Sequence, residues 1–226
     1  MSNLIAILSN IFNVKVIDDS IDNEQYILLD LSLNNLKLGT IDLKNPDDFQ
    51  VFIANYLTKK NATIAFGGYN EKRNLYKHSS IFKEATAQER DIHIGMDLWI
   101  DAGTSVLAAL NGTVHSFNYN AGLGNYGPTV ILQHHIESHT FYTLYGHLSA
   151  ASIENIEIGM IYKKGALLGT LGSSAENGNY APHLHFQIID NIATNFGDYP
   201  GVCSEADLQF YLKNCPDPNL LLKIQF

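Results

Sequence analysis

Pro128-Thr-Val-Ile-Leu-Gln133, Thr140-Phe-Tyr-Thr-Leu-Tyr145 and Leu184-His-Phe-Gln-Ile-Ile189 are the stretches whose reading decides the fold. Each is short and rich in β-branched and aromatic residues, the composition that fits a pleated, half-buried surface. Glycines punctuate the region around them at Gly95, Gly103, Gly112, Gly122, Gly124, Gly127, Gly146, Gly159, Gly165, Gly169 and Gly172. Short β-rich runs separated by glycine predict an antiparallel sheet with tight turns over residues 91–190.

The flanks read differently. Residues 1–60 suggest a small α+β unit. Strands are expected at Tyr26–Leu33 and Leu36–Leu43 about an Asn34-Asn35 turn. Asn45-Pro46-Asp47-Asp48 starts a helix, with an Asn cap, Pro in the first turn and acids at the positive dipole end. Phe49, Phe52, Ile53, Tyr56 and Leu57 recur at helical spacing and form a core-facing stripe. Residues 61–90 read as a connecting or lid segment, in which Ala65–Arg73 looks like a loop and Asn70 and Arg73 are candidate substrate contacts. Residues 191–226 form an extension with one helix, where Ser204 stands three before Asp207 as an approximate capping box ahead of Leu208, Tyr211 and Leu212. The expected fold class is α+β, with a mainly-β principal domain.

Composition narrows the function classes. The chain has 226 residues, 46% hydrophobic and 16% charged, which is a globular composition. Its formal charge of −9 argues against nucleic acid or an anionic membrane surface as partner. No apolar run reaches the roughly 18–20 residues that cross a bilayer, so no membrane insertion is expected. The apolar start, Met1–Phe12, lacks a basic residue before its apolar part and is broken by Asn10, so it reads as a core-packing helix rather than a signal peptide. A cytoplasmic home is expected on that reading, with export as the alternative. Two cysteines, Cys203 and Cys215, fit a reduced pair, although a disulfide stays open.

The chemistry sits in the histidines. His93-x-x-x-Asp97 and His183-Leu-His185 offer four side chains, of which three can hold one zinc ion while the fourth moves protons. In a strand, residues two apart share a face, so His183, His185 and Gln187 line one surface while Leu184, Phe186 and Ile188 enter the core. Spacing alone does not say which histidine binds metal. Four residues of straight strand span about 13 Å, too far for His93 and Asp97 to share an ion, so the chain must bend between them, and Gly95 is the natural place. Alternation in Phe141–His147 puts Thr143, Tyr145 and His147 on one face. There His147 is placed to hydrogen-bond a developing oxyanion, and Tyr145 is a candidate groove residue. Gln187 is a further groove candidate. His134, His135 and His139 cluster near a turn and read as solvated; His115 and His78 read as structural or surface.

These residues carry a resemblance. His93-Ile-Gly-Met-Asp97, Ala102–Ala108, Asn111-Gly-Thr-Val114, Tyr145-Gly-His-Leu148, Gly159–Gly165, Leu168–Gly172 and Ala181-Pro-His-Leu-His-Phe186 resemble, in order and spacing, the lysostaphin/LytM-type zinc endopeptidases of family M23. The likeness covers about residues 90–190, less than half of the chain. It implies an antiparallel sheet with a zinc-bearing groove. It implies His93, Asp97 and His185 as zinc ligands, His183 as general base, and His147 as the group that holds water or stabilises the oxyanion. It also implies a peptide or muropeptide substrate cut at Gly- or Ala-type bonds. Gln187 stands where the family commonly has Glu. Two other readings stay open: a non-catalytic regulatory module of this type, and a cytosolic zinc hydrolase acting on a non-wall amide.

Overall fold

The computed structural model describes residues 3–43, 45–73 and 89–225; His78 lies outside the described residues. The chain opens with α1 (Asn3–Ser9), which buries Leu4 and Leu8. Then follow β1 (Tyr26–Leu28), α2 (Pro46–Lys60), β2 (Ile64–Gly67), β3 (Glu71–Lys72), β4 (Ile92–His93) and β5 (Met96–Trp99). The central part holds β6 (Ser105–Leu107), β7 (Gly112–Asn120), β8 (Gly127–Ile136), β9 (His139–Gly146), α3 (Ala151–Glu154), β10 (Ile161–Tyr162), β11 (Leu167–Thr170) and β12 (His183–Ile189). The chain ends with β13 (Val202–Cys203), α4 (Leu208–Asn214) and α5 (Asn219–Leu222).

One eight-stranded sheet, in the order β1-β2-β5-β12-β9-β8-β7-β10, organises the fold. Every pairing in it is antiparallel except β1 with β2, so the sheet is mixed rather than purely antiparallel. Two small sheets, β11-β6 and β13-β4-β3, complete the mainly-β architecture.

The first 60 residues depart from the expected hairpin. Among the described residues of this stretch only Tyr26–Leu28 is strand, and it runs parallel to β2. Residues Leu36–Thr40 form a 3-10 turn capped by the Asn35 side chain. Local polar bonds compete with the ladder here: Asp30 Oδ1 accepts from Ser32 N at 2.8 Å, and Asn35 Nδ2 donates to Asp30 O at 2.6 Å. The expected helix is present as α2. Asn45 Oδ1 accepts from Asp47 N at 3.0 Å and from Asp48 N at 3.5 Å, and Phe49 and Ile53 are buried. Ala65–Arg73, read as a loop, instead supplies β2 and β3, because its backbone pairs with the distant β5 and β4. At the far end, Asp207 N donates to the Ser204 hydroxyl at 3.3 Å, one half of a capping box. The Asp207 carboxylate, however, accepts from that hydroxyl rather than from Ser204 N, and the helix starts at Leu208 with Asp207 as its N-cap.

The large sheet has a different cover on each face. Leu184, Phe186 and Ile188 of β12 join Val130, Leu132 and Tyr145 in the main core, which α1, α5, β6 and β11 close. The opposite face carries two separate clusters. Ile131, Leu144 and Ile189 pack under the C-terminal segment with Tyr199, Cys203 and Cys215. Trp99 and Ala181 pack under α2 with Phe49 and Ile53. The gap between these two clusters is a cavity of about 240 Å³.

Candidate active site

The floor of that cavity is β5 and β12. His185 lies directly across from Asp97 and His183 across from Trp99 in the antiparallel register, so Asp97 and both histidines share a face. His93 arrives from β4, in a different sheet. The chain bends at Gly95, where the sequence requires it. A Cβ at Gly95 would lie 2.4 Å from Cε1 of His185, so the bend also needs a residue without a side chain.

His147 reaches the site by a route that alternation misses. Tyr145 pairs with Phe186 and faces the main core, away from His185. Strand alternation would send His147 the same way. The strand stops at Gly146, and His147 takes a left-handed conformation with φ of 63°, which turns its ring to the other side. Its ring centroid lies 4.2 Å from that of His183.

The hydrogen-bond partners fix each ring. His93 Nδ1 lies 2.8 Å from Gly68 O, His147 Nδ1 is 2.7 Å from Asn177 O, and His183 Nδ1 is 2.7 Å from Ala181 O. A carbonyl only accepts, so these three nitrogens carry the proton. The other nitrogen, Nε2, therefore presents a lone pair. His185 is the reverse case: its Nε2 lies 3.0 Å from Gln187 Oε1, so its Nδ1 presents the lone pair.

Three electron-rich atoms then crowd together. His93 Nε2 is 2.9 Å from His185 Nδ1, and Asp97 Oδ1 is 3.3 Å and 3.1 Å from these two nitrogens. With both imidazoles in the tautomers their outer partners set, no proton lies between them, and a shared cation is what makes the arrangement favourable. Tetrahedral zinc, with bonds of about 2.0–2.2 Å, sets ligand atoms roughly 3.3–3.6 Å apart. The 2.9, 3.1 and 3.3 Å here are slightly shorter, so the ligands need only a small outward shift to take it. His93, Asp97 and His185 thus form a buried group with the ligand types and spacing to hold a metal ion.

The electrostatics agree. Burial pushes His93 down to about 4, with the Arg73 guanidinium adding to the effect. Burial also drives His147 well below the usual imidazole range, reinforced by His183 and His185, and it lowers His183. Burial alone would raise Asp97, but pairing with His93 and Arg73 outweighs it and holds the carboxyl well below its ordinary value. At neutral pH the site is three neutral imidazoles' worth of lone pairs from His93, His147 and His183, beside an ionised Asp97.

Of the groove candidates, Arg73 lines the cavity, while Asn70, Tyr145 and Gln187 do not. Arg73 is buried and paired: its Nη1 donates to Asp97 Oδ2 at 2.6 Å and its Nε to Glu71 Oε1 at 2.6 Å. It holds the carboxylate from behind while Oδ1 faces the imidazoles. Asn70 is exposed, with φ of 51°, on the turn between β2 and β3, outside the residues that line the cavity. Tyr145 is buried, its hydroxyl accepting from Ala109 N. Gln187 is fully buried behind His185. The aromatic residues that do line the cavity are Trp99, Tyr126, Tyr180 and Tyr199, with Phe49 from α2. Trp99 stacks on His183, and Tyr180 sets its edge against both His147 and His183. Tyr126, Tyr180 and Tyr199 stand in glycine- and proline-rich loops without periodicity, so sequence alone does not single them out.

The profile of peptidase family M23 matches residues 91–195. Residues 91–195, which carry His93, Asp97, His147, His183 and His185, are thus similar to M23 peptidases. Peptidoglycan DD-endopeptidase ShyC of Vibrio cholerae is 34% identical over 99 residues, covering 44% of this chain and 20% of that protein. An uncharacterized metalloprotease of Haemophilus influenzae is 37% identical over 102 residues, covering 44% of this chain and 19% of its own length. The chain thus spans about a fifth of the length of these two relatives. The catalytic domain of lysostaphin from Staphylococcus simulans aligns at 25% identity over 54% of this chain and 80% of that domain, with a TM-score of 0.38. The M23 match ends at residue 195, so α2 on one side and Pro200, Gly201 and Val202 on the other are cavity walls contributed from outside it.

Proposed function

We propose that this chain is a zinc-dependent endopeptidase that cuts short Gly- or Ala-type bonds in peptidoglycan-derived peptides. The observation that carries the reading is the convergence of His93 Nε2, His185 Nδ1 and Asp97 Oδ1 within hydrogen-bonding distance of one another, each with its outer partner in place. The peptidoglycan endopeptidase activity named for the Vibrio cholerae relative supports the substrate class.

Zinc held by these three residues would supply a Lewis acid that acidifies water and polarises a carbonyl. His183 does the proton work. Its Nε2 lone pair faces the triad, 3.9 Å from Asp97 Oδ1, while Nδ1 stays bonded to Ala181 O. It takes a proton from the attacking water and returns it to the leaving amine. Stacking on Trp99 holds the imidazole in line. His147 has its proton on Nδ1, committed to Asn177 O. In its neutral form it therefore accepts a hydrogen bond from water and cannot donate one to an oxyanion, so water orientation is its role. The Trp99, Tyr126 and Tyr180 rings exclude bulk solvent from the reacting groups.

Chelation is expected to abolish peptide hydrolysis, and zinc to restore it. His183→Ala is expected to retain metal while turnover falls by about 10²–10⁴-fold, the usual worth of a general base. Metal content and the cleavage of a panel of stem and cross-link peptides read both effects. Undiminished turnover in His183→Ala would remove it as the base. Failure to cleave any wall peptide while other amides are cut would move the substrate class.

A further inference from the structure

We propose that Gln187 is the positioning residue of the metal site, and that the C-terminal segment holds it in that role. The inference rests on His185 being a ligand, as in the reading above.

Gln187 sits two residues past His185 on the same face of β12 and is fully buried. Its Oε1 lies 3.0 Å from His185 Nε2. Its amide nitrogen donates to Pro200 O at 3.1 Å and to Cys215 Sγ at 3.3 Å. These two acceptors decide which way the amide points. Flipped, Oε1 would meet the Pro200 carbonyl, placing two acceptors together in a buried site. The tail thereby forces the oxygen toward His185, and that oxygen in turn requires the proton on His185 Nε2.

The alternative tautomer is a trap. With its proton on Nδ1, His185 would donate to Asp97 Oδ1, 3.1 Å away, and close the site without a metal. That charge-assisted bond is strong, so an opposing contact is needed to keep Nδ1 as a lone pair. Gln187 supplies it. Tyr126 hydroxyl, 3.3 Å from the same Nε2, is the weaker neighbour. Pro200 and Cys215 both lie beyond the M23 match, so the extension becomes part of the metal site rather than an appendage.

The test is the nitrogen-15 spectrum of imidazole side chains in the metal-free full chain, together with zinc affinity from competition with a chelator. Wild type should show His185 protonated at Nε2; protonation at Nδ1 alone overturns the proposal, whatever any variant does. Gln187→Met should shift His185 toward the Nδ1 proton and weaken zinc binding by about 10–100-fold, the usual cost of losing an outer hydrogen-bond partner. Gln187→Glu keeps an acceptor toward His185 while its second oxygen replaces the donor to Pro200 O, so it should hold the Nε2 tautomer and bind zinc more tightly than Gln187→Met. Equal tautomers and affinities in the Met and Glu variants would sink the idea. Should Gln187→Met fail to fold, the wild-type and Gln187→Glu spectra decide. A wild type that binds no zinc refutes the enzyme reading, while the tautomer in the same sample still judges Gln187.

Discussion

Gly95 shows how much a single residue carries here. It makes the bend that brings His93 to Asp97, and its missing side chain is the space that the His185 ring occupies. That ring cannot retreat, because Gln187 and Tyr126 bond its outer nitrogen. Gly95→Ala would place a methyl 2.4 Å and 2.5 Å from ring atoms and 3.1 Å from Phe186 O. Overpacking of this kind costs about 1–3 kcal/mol. The expected outcome is a lower urea midpoint together with weaker zinc binding, read on the same preparation; wild-type metal affinity would show that the ring has room to move. The bend was legible from sequence, since straight strand geometry makes His93 and Asp97 incompatible without it. The placing of His147 was not. Its ring reaches the site only through a positive φ, which no alternation rule anticipates for histidine. Arg73 reads from sequence as a loop residue near substrate, and nothing local reveals that its guanidinium pairs with Asp97.

Whole elements were legible where the signal is local and hidden where it is not. In β12 the alternation sorted His183, His185 and Gln187 from Leu184, Phe186 and Ile188, and the core confirms the sorting. In α2, the cap, the proline and the stripe predicted a helix that is present from Pro46. By contrast, β2, β3 and β13 are two to four residues long and exist through pairing with β5 and β4, far away in sequence. No window of sequence contains that information. The helix matters to the site, since Phe49 in its first turn is both core and cavity wall. Asn45→Ala removes the side-chain acceptor for Asp47 N and Asp48 N, and a lost N-cap of this type costs about 1 kcal/mol. Chemical denaturation should show that loss with the m-value unchanged. No loss would mean that tertiary packing alone sets the start of α2.

At the scale of the molecule, one sheet is buried on both faces, and the price falls on its polar residues. His134, read from sequence as solvated, is the clearest case: it is fully buried in β8. Its Nδ1 donates to Asn111 O at 2.9 Å, and its Nε2 lies 2.7 Å from the Thr143 hydroxyl. Both bonds are satisfied by the neutral ring, and burial lowers its pKa to about 4. The sign follows from linkage. Below about pH 6.5 the unfolded chain accepts a proton that the folded chain refuses, so stability falls with pH until the folded ring titrates near 4. The full loss is about 3 kcal/mol, and about 2 kcal/mol of it arises between pH 7 and pH 5. His134 lies in the main-core half of the sheet and touches none of the triad, so metal does not mask the effect. Urea unfolding at the two pH values should therefore show wild type losing about 2 kcal/mol more than His134→Gln. Parallel losses in the two proteins would mean that the buried imidazole already carries its proton in the fold, and that the neutral network drawn around it is wrong.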